Sequence, residues 1–126
     1  MQNITIFCSA SDTVASIYKN EAETVGQWIG THHKTLVYGG ANGGLMEIVA
    51  KEVRDNGSQV LGIITRHIAE MGRSSQQPTD LVTTDSMGER KRLLIEQGDI
   101  LVALPGGIGT IDELFDALTA KMLGTH

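Results

Sequence analysis

An alternation of short, nearly continuous apolar runs with amphipathic stretches limits the folds open to this chain. Ile4-Thr5-Ile6-Phe7-Cys8, Thr35-Leu36-Val37-Tyr38, Val60-Leu61-Gly62-Ile63-Ile64, the weaker Leu81-Val82-Thr83 and Ile100-Leu101-Val102-Ala103-Leu104 read as strands buried on both faces, as in a parallel sheet. Between them, Val14, Ile17, Tyr18, Val25, Trp28 and Ile29 recur at helical spacing, as do Leu45, Ile48, Val49 and Val53, and then Ile111, Leu114, Phe115, Leu118 and Met122. This predicts an α/β protein with a Rossmann-like open parallel sheet and helices on both faces. A length of 126 residues with 40% hydrophobic content fits one domain spanning 1–126. Such a sheet normally continues after the last helical pattern, so the C-terminal strand and helices are expected to be missing from this stretch. The polar segment from Thr65 to Asp80, with Gly72 and Pro78, reads as a loop or lid.

Charge and cysteine content narrow the function. A formal net charge of −5 provides no general basic field, so a nucleic-acid partner is not expected and a phosphorylated ligand would need a local arrangement of donors. The opening residues run directly into a strand pattern without a basic start or a long apolar stretch, which predicts a cytoplasmic protein with no membrane partner. The single cysteine, Cys8, has no partner for a disulfide or an anchored metal site, and it reads as a small core residue at a strand end. His32 and His33 fall in a polar connection and His67 in the irregular segment; none has the spacing of a metal site or a nucleophilic triad. No metal is expected.

Ligands of open α/β sheets bind where strands turn into helices at their carboxyl ends. Three such ends carry unusual residues: Ser9-Ala10-Ser11-Asp12, Gly39-Gly40-Ala41-Asn42-Gly43-Gly44 and Pro105-Gly106-Gly107-Ile108-Gly109-Thr110. The last places three glycines and a hydroxyl between a strand and a helix, where free N–H groups and the helix dipole favour a phosphate. Neither glycine run matches a dinucleotide fingerprint or a Walker loop, so a mononucleotide phosphate fits better. The alternative is that the glycines only make tight turns. Thr110-Ile111-Asp112-Glu113 also reads as a capping box, as does Ser86-Met87-Gly88-Glu89, but Glu113 directly follows the proposed phosphate cradle, within reach of a sugar on that phosphate. Arg90-Lys91-Arg92 lies near a helix start, where the dipole disfavours cations; either an anionic ligand requires them or they form a solvated patch.

These segments, in this order, resemble the Lonely Guy family of cytokinin riboside 5′-monophosphate phosphoribohydrolases, often labelled lysine decarboxylase-like. The resemblance is carried by Ile6-Phe7-Cys8-Ser9, by Leu36 to Met46, by Met87-Gly88-Glu89-Arg90-Lys91 and by Leu104 to Leu114. It implies a homodimeric enzyme without a cofactor that cleaves the N-glycosidic bond of a nucleoside 5′-monophosphate, a small-molecule substrate, to a free base and ribose 5-phosphate. By that resemblance Glu113 and Arg90 are catalytic. Lys91, Gly106, Gly107, Ile108, Gly109, Thr110, Ile111, Asp112, Thr119, Ser9, Gly40 and Met87 bind substrate. Three departures stand out: Thr65 replaces a family proline, Gly72 falls in an ungapped comparison where the family has an acidic ligand contact that Glu70 or a small gap would restore, and the chain ends before the family's last strand. Related Rossmann-like proteins carry a nucleotide or molybdenum cofactor on similar glycine loops without hydrolysing it, which is the alternative reading. Nothing in the sequence suggests a pyridoxal phosphate site, so lysine decarboxylation is not expected.

Overall fold

Alternate residues of β1 (Asn3–Phe7) point to opposite sides of a sheet, and both sides are apolar, so helices must cover both. The computed structural model describes residues 2–8 and 16–104 and shows how they do so. After β1 come α1 (Ser16–Thr31), β2 (Thr35–Tyr38), α2 (Gly44–Asp55), β3 (Val60–Thr65), α3 (Arg66–Glu70), β4 (Asp80–Thr84), α4 (Met87–Gln97) and β5 (Ile100–Ala103). The strands lie in the order β4-β3-β2-β1-β5, and every neighbouring pair is parallel. On one face Ile4, Ile6, Cys8, Leu36, Tyr38 and Val60 pack with Ala22 and Ile29 of α1 and with Leu45, Val49 and Val53 of α2. On the other face Phe7, Val37 and Ile63 pack with Leu94 and Ile95 of α4. Thr5 is a polar residue on that second face; its hydroxyl donates to the Leu94 carbonyl at 2.7 Å, so its burial leaves no unmet group.

Helix α1 does not bury every apolar residue at helical spacing. Ala22, Gly26, Ile29 and Gly30 face inward, whereas Trp28 is 50% exposed and stacks on His32 with ring centroids 4.2 Å apart. The reason is close helix packing: a Cβ at Gly26 would lie 2.7 Å from Glu52 Cβ and 2.9 Å from the Val49 carbonyl. Only a glycine stripe permits this approach, so the bulky residues turn outward. Gly26→Ala is expected to cost about 1–2 kcal/mol, since overpacking against fixed atoms exceeds the gain of about 1 kcal/mol in helix propensity. The denaturant midpoint of the variant measures it. Helix α1 stops in a Schellman-type turn, with Lys34 N–H donating to the Ile29 carbonyl, His33 N–H to Gly30, and His33 at φ 55°.

Two differences from the sequence reading concern the second half. The segment from Thr65 to Asp80 is not a plain loop or free lid. Its start is the short helix α3, capped by the Thr65 hydroxyl, which accepts the Ile68 N–H at 3.2 Å. Its later part is bonded to the β2–α2 turn through an antiparallel bridge between Ala41 and Ser74. The weak β4 pattern is real but marks an edge strand, with Leu81 and Val82 both substantially exposed.

Candidate functional site

In a parallel sheet all carboxyl ends lie along one edge, and the strand order here sets a reversal between β1 and β5. Successive strands β1 to β4 are added in one direction, and β5 then returns to the free side of β1. Such a reversal opens a crevice outside the sheet. Phe7 is in register with Ala103, and Leu104 N–H donates to the Phe7 carbonyl at 2.8 Å. The chain therefore runs on towards Ser9 and towards Pro105 from two neighbouring strand ends. Ser9, Gly106 to Asp112, Glu113 and Thr119 lie outside the described residues.

Gly40, Met87, Arg90 and Lys91 are described, and the fold brings them to this same edge. Ser86 caps α4 by accepting the Glu89 N–H at 3.1 Å, which is the serine half of the capping box read from that pair. One turn later the basic triplet divides. Arg92 is exposed and pairs with Glu96 one turn on, at 2.8 Å, so it is the solvated member. Lys91 is half-buried. Arg90 is only 5% exposed and turns under the sheet edge. Its Nε donates to the Ile63 carbonyl at 2.8 Å, Nη2 to the Gly39 carbonyl at 2.6 Å, and Nη1 to Met87 Sδ at 3.3 Å. The guanidinium is thus fixed across the ends of β2 and β3 by backbone that cannot rotate away.

The first glycine run serves this arrangement. Gly40, Gly43 and Gly44 have φ of 72°, 85° and 58°, the left-handed region that L residues disfavour, so the turn-making reading accounts for these three. Gly39 is required for a different reason. A Cβ there would fall within the Arg90 guanidinium and 2.9 Å from Met46 Cε, so the absence of a side chain makes room for the arginine. Tyr38, the last residue of β2, is almost wholly buried; burial raises its phenol well above the ordinary tyrosine range, with Glu47 and Cys8 adding to the shift and Ser75 opposing it. Cys8 is buried, as expected of a core thiol.

Several residues around the turn have no counterpart in the sequence motifs. Arg73 holds Asn42 through its side-chain oxygen at 2.9 Å and its carbonyl at 3.0 Å, while Ser75 and Gln77 both reach Glu47. Their contacts span about thirty residues of sequence, and no local spacing announces such pairs. The only local sign was Asn42, a side chain with both donor and acceptor inside an otherwise glycine-rich turn.

Parallel strands, their order and the helices on both faces define a Rossmann-like α/β protein, with the anchored Arg90 at the carboxyl edge of its sheet as the candidate site. Residues 46–126 match a family model described as "Possible lysine decarboxylase". The chain is 38% identical to a cytokinin riboside 5′-monophosphate phosphoribohydrolase of Mycobacterium tuberculosis, over 98% of this chain and 65% of that protein. It is 37% identical to the enzyme of that name from Rhodococcoides fascians (99% and 64%) and 34% identical to one from Arabidopsis thaliana (99% and 59%). The chain belongs to this family, the Lonely Guy family of the motif resemblance. It spans a little under two thirds of the length of these curated relatives. Among solved structures, the molybdenum cofactor binding protein of Rippkaea orientalis shares the fold at a TM-score of 0.83 and 21% identity, covering 95% of this chain and 72% of that one. The molybdenum cofactor carrier protein of Chlamydomonas reinhardtii does so at 0.81 and 24%, covering 95% and 72%. Among the described residues no helix is long and apolar enough to cross a membrane, and no group of three or more His, Cys, Asp or Glu could hold a metal.

Proposed function

We propose that the chain is the nucleotide-binding domain, 1–126, of a phosphoribohydrolase that splits a nucleoside 5′-monophosphate into free base and ribose 5-phosphate. The observation that carries this reading is Arg90, a buried guanidinium anchored to backbone carbonyls at the edge where ligands of such sheets bind. The names of the related proteins support the same chemistry.

In this reading the phosphate sits on Gly106, Gly107, Ile108, Gly109 and Thr110, with Ile111, Asp112, Thr119, Ser9, Gly40, Met87 and Lys91 completing the substrate contacts. Breaking the bond between base and C1′ leaves positive charge on the sugar; water adds its oxygen to C1′, and the base departs with the electron pair and takes up a proton. Glu113 is assigned to stabilise that charge and to orient or deprotonate the water. Arg90 is assigned to hold the carboxylate or sugar hydroxyls in register, a task suited to a side chain fixed at three of its own donors. The working unit is proposed to be a homodimer in the cytoplasm that needs no cofactor.

Release of free base from AMP and from an N6-prenylated AMP, followed by chromatography, tests the reading. Release is expected from at least one of them, and the ratio reports base preference. Binding of both nucleotides without release would instead support a carrier or sensor.

A further inference from the structure

Among the ties that hold residues 73–77 to the β2–α2 turn and to α2, one is the Arg73–Asn42 contact, a second runs through a carboxylate that the proposed chemistry does not use, and Arg54 Nη1 donates to the Gln77 carbonyl. Asn42 N–H donates to the Arg73 carbonyl at 2.8 Å, closing the first tie. In the second, Ser75 N–H donates to the Gly40 carbonyl at 2.8 Å. The Ser75 hydroxyl donates to Glu47 Oε2 at 2.7 Å, Gln77 Nε2 donates to Oε1 at 3.3 Å, and Gln77 N–H donates to Ser75 Oγ at 3.1 Å. Both oxygens of Glu47 are therefore directed at the strap. A glutamate in the first turn of a helix favours that helix through its dipole. That explains the position of Glu47 but not its partners, which lie 28 and 30 residues further along the chain.

We propose that Glu47 is a positioning residue for the site: it fixes Ser75, whose amide holds the Gly40 carbonyl next to the Gly39 carbonyl that Arg90 grips. The proposal rests on the phosphoribohydrolase reading for its effect on rate. The physical need is clear at Gly40, which has φ 72° and no side chain to restrict it, so the turn is held from outside. Hydrogen bonds to an ionised acceptor are roughly twice as strong as neutral ones, and Glu47 and Gln77 are half-buried while Ser75 is buried, which limits competition from water. Residues 73–77 are on this account a strap that sets the height of the Gly39 carbonyl gripped by Arg90, not a lid that opens over the substrate.

The test compares the unaltered chain with Glu47→Ala, Glu47→Gln and Ser75→Ala by three readouts: hydrogen exchange at the Ser75 and Asn42 amides, the NMR signal of the Arg90 Nε–H, and base release from the two monophosphates. Glu47→Ala is expected to speed Ser75 exchange by about tenfold or more and to shift the Arg90 signal. It is expected to lower kcat by about 10- to 100-fold with KM within about threefold, the scale for misplacement by about 1 Å. Glu47→Gln keeps one oxygen for the Ser75 hydroxyl and is expected to fall between; it carries the comparison if the alanine variant does not fold. Ser75→Ala keeps the backbone bond but loses the hydroxyl link, so it is expected to follow Glu47→Gln. An unmoved Arg90 signal, or an unchanged kcat beside a loosened strap, overturns the proposal. If the unaltered chain releases no base at all, the functional reading fails, while exchange and the Arg90 signal still decide whether Glu47 holds the strap.

Discussion

Glu113→Gln is expected to abolish base release while leaving nucleotide affinity within a few-fold. The substitution keeps the shape of the side chain and removes its charge, so only interactions that grow as the sugar becomes positive are lost. Removal of one preorganised electrostatic partner typically lowers kcat by about 10²- to 10³-fold, and a carboxylate that also handles the attacking water is expected to reach or exceed that. Release measured at saturating monophosphate, with binding followed separately by calorimetry, separates the two effects. A glutamine variant with full activity would remove Glu113 from the mechanism and leave its capping role as the whole explanation of the Thr110 to Glu113 pattern.

Arg90→Lys is expected to be nearly as damaging, and to stability as well as rate. Lysine retains the charge, but a single ammonium cannot reproduce a planar fork that reaches the Ile63 and Gly39 carbonyls from two different nitrogens. Loss of charge-assisted bonds to buried carbonyls is worth about 3 kcal/mol in total, visible as a lower denaturant midpoint. The turnover is expected to fall by about 100-fold from displacement of the cation alone. A lysine variant of unchanged stability would contradict the anchoring role assigned to those two bonds. Because Gly39 leaves the room that the guanidinium fills, the pair behaves as one unit, and changes at the two positions are not expected to be additive.

Arg90 and its neighbours show how unevenly the candidate site was written along the chain. The Met87 to Lys91 motif placed the arginine at a helix start, and the unfavourable dipole there was a local sign that it answers to something outside its helix. Spacing could not divide the triplet, because which of three successive residues faces inward depends on how α4 rotates against Phe7, Val37 and Ile63. Trp28 shows the same limit on α1. Its spacing matched an apolar stripe, yet the glycines at 26 and 30 draw α2 so close that the inward face belongs to small residues.

Periodicity and residues adjacent in the chain were enough for the strand–helix alternation, the both-sided burial of β1 and β2, the carboxyl-edge location of Gly39 to Gly44 and the family. The order β4-β3-β2-β1-β5, the anchoring of Arg90 and the strap from Arg73 to Gln77 emerge only in the folded chain. Those features depend on hydrogen bonds and contacts between residues far apart in sequence, whose partners are chosen by packing geometry once the sheet has formed. A side chain such as Glu47 carries no local mark of the partners it will meet.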